Sequence, residues 1–315
     1  MAWKQNIIED FKQLVSFDSI SFHERNTADW LLARLKSMGF SVEEDQAGAY
    51  YGGDTGNIFA VLDGELEGDP VIFCAHMDVV EPGSGKKSVL EKDGTIHSAG
   101  DTVLGADDIS GILEILYGVQ LVIDSGKPHK KIELLFTIGE ELYVKGSDVF
   151  DYSKVTAKQA YVLDLSEETT FNIGTIQGGT ATNIVPDCCV LTGEIRSYDH
   201  GKALETVRMT ERIFTEEAQK INATAEVTSQ IHLIAYETSL ESKSVTDFQK
   251  ACEILGFSGE LTGTFGGSDN NSFAKNGIEG LVLSNGMYNA HSTREYTTVD
   301  DLYKGAELIG QLILL

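Results

Sequence analysis

Apolar and polar positions fall in blocks along the chain, and the blocks predict most of the elements. Ile7, Ile8, Phe11, Leu14 and Val15 stand at helical spacing, which gives a first helix one apolar face. A second helix is expected over 27–38, with Trp30, Leu31 and Leu35 on one side and Gly39 as its stop. Uninterrupted apolar runs follow. VIFCA (71–75), KIELLFTIG (131–139) and AYVLDL (160–165) read as strands buried on both faces. ISGILEILYGVQLVI (109–123) reads as a buried helix. Strand, helix, strand in that order predicts an α/β fold with a mostly parallel sheet sandwiched by helices.

Near Thr169 the pattern changes. FNIGTIQGG and ATNIVPDCCVLTGEIRS read as two strands joined by a Gly-Gly turn. A polar helix over 202–220 and a strand near 225–234 complete a ββαβ block. This block is expected to be a small inserted α+β domain, 169–236, between the two parts of a main domain, 1–168 and 237–315. The main domain resumes with a helix over 245–255, the strand GLVLS (280–284) and a terminal helix over 302–314.

Composition narrows the function. The 315 residues carry 24 Lys+Arg against 49 Asp+Glu, a net charge of −25. Such a surface repels phosphate backbones, and no basic stretch concentrates positive charge, so no nucleic acid is expected as a partner. No apolar run approaches the ~18 residues that span a bilayer, so no membrane is expected either. The N-terminal stretch is interrupted by acids and does not read as a signal peptide. Cys74, Cys188, Cys189 and Cys252 form no CxxC pair and read as reduced packing residues of a cytoplasmic protein.

Candidate chemistry gathers at strand ends. VIFCA leads into His76-Met77-Asp78, LLFTIG into Glu140-Glu141, and YVL into Asp164. Ligands in open parallel sheets bind beyond the carboxyl ends of strands. Asp107-Asp108 precede the buried helix, and His291 follows GLVLS after a loop. Histidine with several carboxylates suits zinc or a similar cation, and so many acids in one place call for a positive compensator. Residues two apart at a strand end point the same way, so Asp78 can hydrogen-bond the far nitrogen of His76. The adjacent glutamates diverge, so one can hold a cation while the other faces the substrate as a base. Each motif alone has a plain structural reading: HxD as a packing pair, GADD as a helix cap, Glu-Glu as a solvated pair. Their joint order is what points to a metal centre.

At these residues the chain resembles the cocatalytic di-zinc aminoacylase/carboxypeptidase family, most closely its peptidase T-like branch. The stretches that carry the likeness are CAHMDVVEPG, DTVLGADDISGILEIL, LLFTIGEELYVKGS, GGTATNIVPD with GEIRS, and GGSDNNSFAKNGIEGLVLSNGMYNAHSTREYTTVDDL. The resemblance implies a zinc-exopeptidase-like catalytic domain with an inserted lid. It implies two Zn2+ per chain, with Mn2+ or Co2+ as alternatives. His76 and Asp164 would hold one ion, Glu141 and His291 the other, and Asp107 would bridge them. Asp78 would orient His76, and Glu140 would be the general base that deprotonates the attacking water. Asn183 and Arg196 in the lid, and Gly267 and Ser268 in GGSD, match positions that contact substrate in relatives. Arg196 could equally be a surface strand residue, and GGSD an ordinary turn.

Two departures accompany the likeness. Ile109 stands where relatives usually have Lys, which implies a packing change. Only five positions separate Asp164 from Thr169, where relatives carry a lid strand, a histidine and a helix. His200 and His232 are the lid histidines that remain. The implied function is a metal-dependent exopeptidase, an aminopeptidase on di- or tripeptides. The alternatives are an N-acyl amino acid amidohydrolase and a catalytically silent metal-binding protein. The expected partner is a small peptide; the shortened lid leaves a homodimer open.

Overall fold

The computed structural model describes residues 2–164, 171–264 and 266–315. The elements run in order α1 (Ala2–Val15), α2 (Arg25–Ser37), β1 (Ser41–Glu44), α3 (Ala47–Tyr51), β2 (Ile58–Leu62), β3 (Val71–His76), β4 (Ser88–Leu90) and β5 (Thr95–Ser98). Next come α4 (Ala106–Ser125), β6 (Ile132–Thr137), α5 (Lys145–Asp148), β7 (Gln159–Leu163), β8 (Phe171–Gly178), β9 (Cys189–Ile195) and α6 (His200–Lys220). The last are α7 (Lys243–Leu255), α8 (Asn270–Lys275), β10 (Glu279–Leu283), β11 (Tyr296–Thr298) and α9 (Val299–Ile313).

Two compact units result. The first comprises Met1–Leu165, Thr238–Thr262 and Gly267–Leu315; the second, Ser166–Glu237 with Gly263–Gly266. The expected boundary at Thr169 lies outside the described residues.

The first unit is built on a six-stranded sheet in the order β1-β2-β6-β3-β7-β10. Strands β6, β3, β7 and β10 are parallel; β1, β2 and β6 pair antiparallel. Both faces of the sheet are covered, which explains the uninterrupted apolar runs. Along β3, Val71, Phe73 and Ala75 enter the larger apolar cluster, while Ile72 and Cys74 enter a second one on the opposite face. Burial of a side chain such as Phe73 stabilises the unit by roughly 1.5–3 kcal/mol. Helix α4 is buried along most of its length and packs on α9 through glycine. A Cβ on Gly118 would stand 2.6 Å from Ile309 Cβ, and one on Gly310 would stand 3.2 Å from the Gly118 carbonyl oxygen. Ile109 is buried in the same core. A small sheet, β11-β5-β4, lies apart from the main one.

The second unit is an antiparallel hairpin, β8 with β9, and the helix α6. Asp199 caps α6 by accepting the Lys202 N–H at 3.1 Å, and no residue of α6 is buried. Two expectations need correction here. The strands are joined by the whole stretch 179–188 rather than by a Gly-Gly turn. Among the described residues no strand stands near 225–234, so the described part of this unit is ββα rather than ββαβ. Ile231 and Ile234 there are largely exposed, so burial on a sheet face does not order the stretch. A third correction concerns cysteine. All four are free thiols, but only Cys74 and Cys252 are buried; Cys188 and Cys189 are exposed and pack no core.

Candidate metal centre

Strands β6, β3 and β7 are parallel neighbours, so their carboxyl ends lie side by side. His76 ends β3, Glu140 and Glu141 sit on the turn after β6, and Asp164 follows β7. Asp107 arrives from the loop into α4. There Asp107 (φ −83, ψ 98) and Asp108 (φ −123, ψ 33) are not yet helical, which turns the Asp107 side chain away from the helix surface.

Asp107 stands between the two histidines. Its Oδ1 is 3.0 Å from His76 Nε2, and its Oδ2 is 3.1 Å from His291 Nε2. Glu141 Oε2 is 2.9 Å from the same His291 nitrogen. Two donor groups, His76 with Glu140 and Asp164, and His76 with Asp107 and Glu141, each hold their ligand atoms within 4.8 Å of one another. Four ligands around one zinc at about 2.0–2.2 Å stand about 3.3 Å apart, so these spacings fit a shared cation. Glu141 Oε1 and Asp164 Oδ2 are buried without a hydrogen-bond partner among the described residues, which a cation would supply. The donor set, carboxylates with imidazole, is that of zinc, manganese or cobalt.

The charges are strongly perturbed. Burial, with Asp269, Glu141 and Asp78 nearby, pushes the Glu140 carboxyl well above its usual range. Burial next to Glu140 and Asp107 does the same to Asp164. Burial also opposes ionisation of Asp107, but its hydrogen bonds to His291 and His76 outweigh that and hold it low. Hydrogen bonds to Asp107 and Glu141 raise His291 to about 11.

A second set of acids grips the backbone behind these side chains. Asp78 contacts His76, as expected, and does more besides. His76 Nδ1 lies 3.0 Å from the Asp78 backbone oxygen and 3.4 Å from its carboxylate. The carboxylate also accepts the N–H of Glu140 at 2.9 Å, the N–H of Glu141 at 3.2 Å and the Ser21 hydroxyl at 2.6 Å. Nδ1 is thus held mainly by the Asp78 backbone carbonyl and more distantly by its carboxylate, which turns Nε2 toward Asp107. Glu24, fully buried, accepts the N–H of Gly139 at 3.0 Å and of Phe22 at 2.7 Å. Asp108 accepts the His76 N–H at 3.0 Å and the Asn285 amide at 2.5 Å. Asp269 accepts from Thr137 Oγ1 and from the Cys74 thiol. Sequence reasoning missed Glu24, Asp269 and Asn285; only the position of Asp269 inside GGSD was a signal.

The remaining predicted residues divide between the units. Ser268 is buried, its N–H donating to Asn271 Oδ1 at 3.1 Å and its Oγ accepting the Asn270 N–H at 3.3 Å; Gly267 precedes it. Asn183 lies in the second unit's 179–188 loop, and Arg196 follows β9 with its Nε 2.9 Å from Glu194. His200 opens α6, and His232 lies in the strandless stretch.

A parallel sheet whose strand ends carry this donor set defines an α/β metallohydrolase. The chain belongs to peptidase family M20/M25/M40, whose profile matches residues 72–315. It is 28% identical over 367 residues to the uncharacterized protein YqjE of Bacillus subtilis, covering 99% of each chain. It is 25% identical over 414 residues to peptidase T of Shewanella pealeana, covering 99% of this chain and 98% of that one. Among solved structures it resembles the aminopeptidase PepT of Bacillus cereus (28% identity, TM-score 0.86, 98% of each chain). It also resembles a tripeptidase of Staphylococcus aureus (25% identity, TM-score 0.92, 98% and 97% covered). The chain is a peptide-bond hydrolase of the peptidase T-like branch. Both sequence alignments are longer than its 315 residues, so these relatives carry residues with no counterpart here. No described helix is long and apolar enough to cross a membrane.

Proposed function

We infer that the chain is a two-metal exopeptidase, an aminopeptidase that releases residues from di- and tripeptides. The observation that carries this reading is Asp107, whose two oxygens meet two different histidines at 3.0 and 3.1 Å. His76, Asp164 and Asp107 would hold one ion; Glu141, His291 and Asp107 the other. When bound, the ions supply polarisation of the scissile carbonyl and a lowered water pKa. Glu140 lies beside the same donors and is held by its own N–H to Asp78. Its carboxylate takes the proton of the attacking water and returns it to the leaving amine. His76 keeps Nδ1 on the Asp78 carbonyl, which fixes the ring throughout.

Arg196 would receive a peptide carboxylate in its planar fork, and Asn183, Gly267 and Ser268 would line the substrate. Tripeptides are favoured as substrates by the likeness to the S. aureus tripeptidase. Zinc and a reducing, cytoplasmic setting complete the proposal, in keeping with four free thiols. An N-acyl amino acid amidohydrolase would use the same residues. The missing counterpart residues and the small ββα unit favour one further reading, a metal-binding protein with little turnover.

The test is an assay of zinc- or cobalt-loaded protein on di- and tripeptides and N-acyl amino acids, with Glu140→Gln as the blank. Turnover on peptides that collapses in the variant, while two ions stay bound, supports the aminopeptidase. Turnover on acyl amino acids selects the amidohydrolase. Two bound ions without turnover select the silent reading, and turnover that survives Glu140→Gln refutes the mechanism.

A further inference from the structure

One buried carboxylate beside the centre is used by no step above. Glu295 lies four residues beyond His291, just before β11, and is 1% exposed. Its Oε1 accepts the N–H of Asp107 at 2.9 Å. Its Oε2 accepts the N–H of Leu104 at 2.7 Å and of Gly105 at 2.8 Å. One carboxylate therefore gathers three backbone amides of the loop that carries Asp107, and both of its oxygens are engaged. Such convergent amides form a concave anion site, and charged hydrogen bonds of this kind are the strong ones.

Both sides of this junction leave regular backbone geometry. The Asp107 loop is irregular, with Gly105 at φ +83 and Asp107 itself outside helical geometry. On the other side, His291 stands at φ +61, a conformation that non-glycine residues adopt rarely. Glu295 anchors its own loop by donating its N–H to Ser292 O at 3.1 Å. From there it reaches across to the backbone of Asp107. Lys86, itself buried, backs the junction: its Cε lies 3.2 Å from where a Cβ on Gly105 would stand. The amide of Asp107 and the loop that carries His291 are thus tied through the Glu295 side chain.

We propose that Glu295 is a positioning residue that fixes the separation of Asp107 and His291, and with it the spacing of the two cation positions. The proposal rests on the two-metal reading of Asp107. Both Glu295 oxygens are taken by backbone amides, so it acts through the Asp107 backbone. A glutamine there offers one oxygen and turns an NH2 group toward an N–H donor, so part of the clasp must open. An aspartate keeps the charge on a shorter arm.

The experiment loads the full chain with cobalt(II), in competition with a chelator, and reads both ion affinities and the visible cobalt spectrum. Glu295→Gln, Glu295→Asp, Asp107→Asn and Gly118→Ala are compared with the parent. Glu295→Gln is expected to bind at least one ion about 10–100-fold more weakly, the range typical for partners behind a ligand, with an altered cobalt spectrum. Glu295→Asp should recover part of the affinity. Gly118→Ala disturbs the packing of α4 on α9 and should leave affinity and spectrum unchanged, which separates positioning from general destabilisation. Parent-like affinity and spectrum in folded Glu295→Gln overturn the proposal. So does failure of both Glu295 variants to fold even with excess cobalt, because a positioning defect is rescued by mass action. If Asp107→Asn keeps both ions at parent affinity, it is the two-metal reading that fails. If Asp107→Asn loses an ion while Glu295→Gln does not, the reading stands and only the role of Glu295 falls.

Discussion

The Asp78 carboxylate receives the backbone N–H of Glu140 at 2.9 Å, while the imidazole of His76 rests mainly on the Asp78 backbone carbonyl at 3.0 Å. The side chain therefore holds the turn that presents both glutamates, and the main chain holds the histidine.

Asp78→Ala should then damage the glutamate turn more than the histidine. Metal affinity is expected to drop about 10–100-fold, and kcat to fall with KM changing little. Asp78→Asn keeps one acceptor oxygen and should fall between parent and alanine. Chelator-competition titrations and steady-state kinetics on a tripeptide check both; an alanine variant with parent affinity and kcat would show that the turn holds itself.

Glu24 gives a pH dependence with a definite sign. Burial, with the Asp78 charge nearby, raises its carboxyl to about 8 in the folded chain, against about 4.3 when unfolded. The folded state therefore binds the extra proton between those values. Stability from this group is complete below pH ~4.3 and declines toward pH ~8, by up to ~1.4 kcal/mol per pH unit in mid-range. Glu24→Gln keeps an oxygen for the amides of Phe22 and Gly139 and cannot titrate. Urea unfolding of the metal-free proteins should show the parent losing stability relative to Glu24→Gln as pH rises from 5 to 8. Parallel profiles would place the Glu24 proton elsewhere.

The α4–α9 contact predicts a packing defect. A Cβ on Gly118 would meet Ile309 Cβ at 2.6 Å and the Ala306 carbonyl oxygen at 2.9 Å, and backbone on one side cannot yield cheaply. Gly118→Ala should cost about 1–3 kcal/mol, read as a lowered urea midpoint at unchanged slope.

Removal of the cations should weaken the first unit. Acids from three strand ends and two loops face one another around two histidines, and without cations their charge is uncompensated. Treatment with a chelator should lower the thermal midpoint and abolish hydrolysis. Added zinc or cobalt should restore both, with the midpoint rising as free metal rises. A midpoint indifferent to chelator would separate metal binding from the fold.

The parts legible in the sequence were those where burial leaves a pattern. Strands β3, β6 and β7 and helix α4 are covered on all sides, so their apolar runs stand out. The acids at those strand ends were readable because each follows such a run. Edge and accessory strands were harder. β1 alternates exposed with half-buried residues over only four positions, and the β4–β5–β11 sheet is made of strands of three or four residues. The stretch 225–234 shows the converse, an apolar pattern whose Ile231 and Ile234 stay exposed. Glu24 sits in FHERN and Glu295 in HSTREY, polar contexts that read as solvated loops. Only the folded chain shows that both are buried and that each takes at least one backbone amide from a loop more than a hundred positions away.

That last separation has a meaning for biosynthesis. Asp107 and the Glu295 that holds its amide are 188 positions apart, and His291 lies on the late side of the gap. At ~5–20 residues per second, a ribosome needs on the order of ten to forty seconds to travel between them. Over the stretch between Asp164 and His291, His76, Asp107, Glu141 and Asp164 are all made, while His291, which the proposed second cation position needs, is not. On the two-metal proposal, the nascent chain would be a half-built chelator over that stretch, and selection of the correct pair of ions would wait for the HSTRE segment.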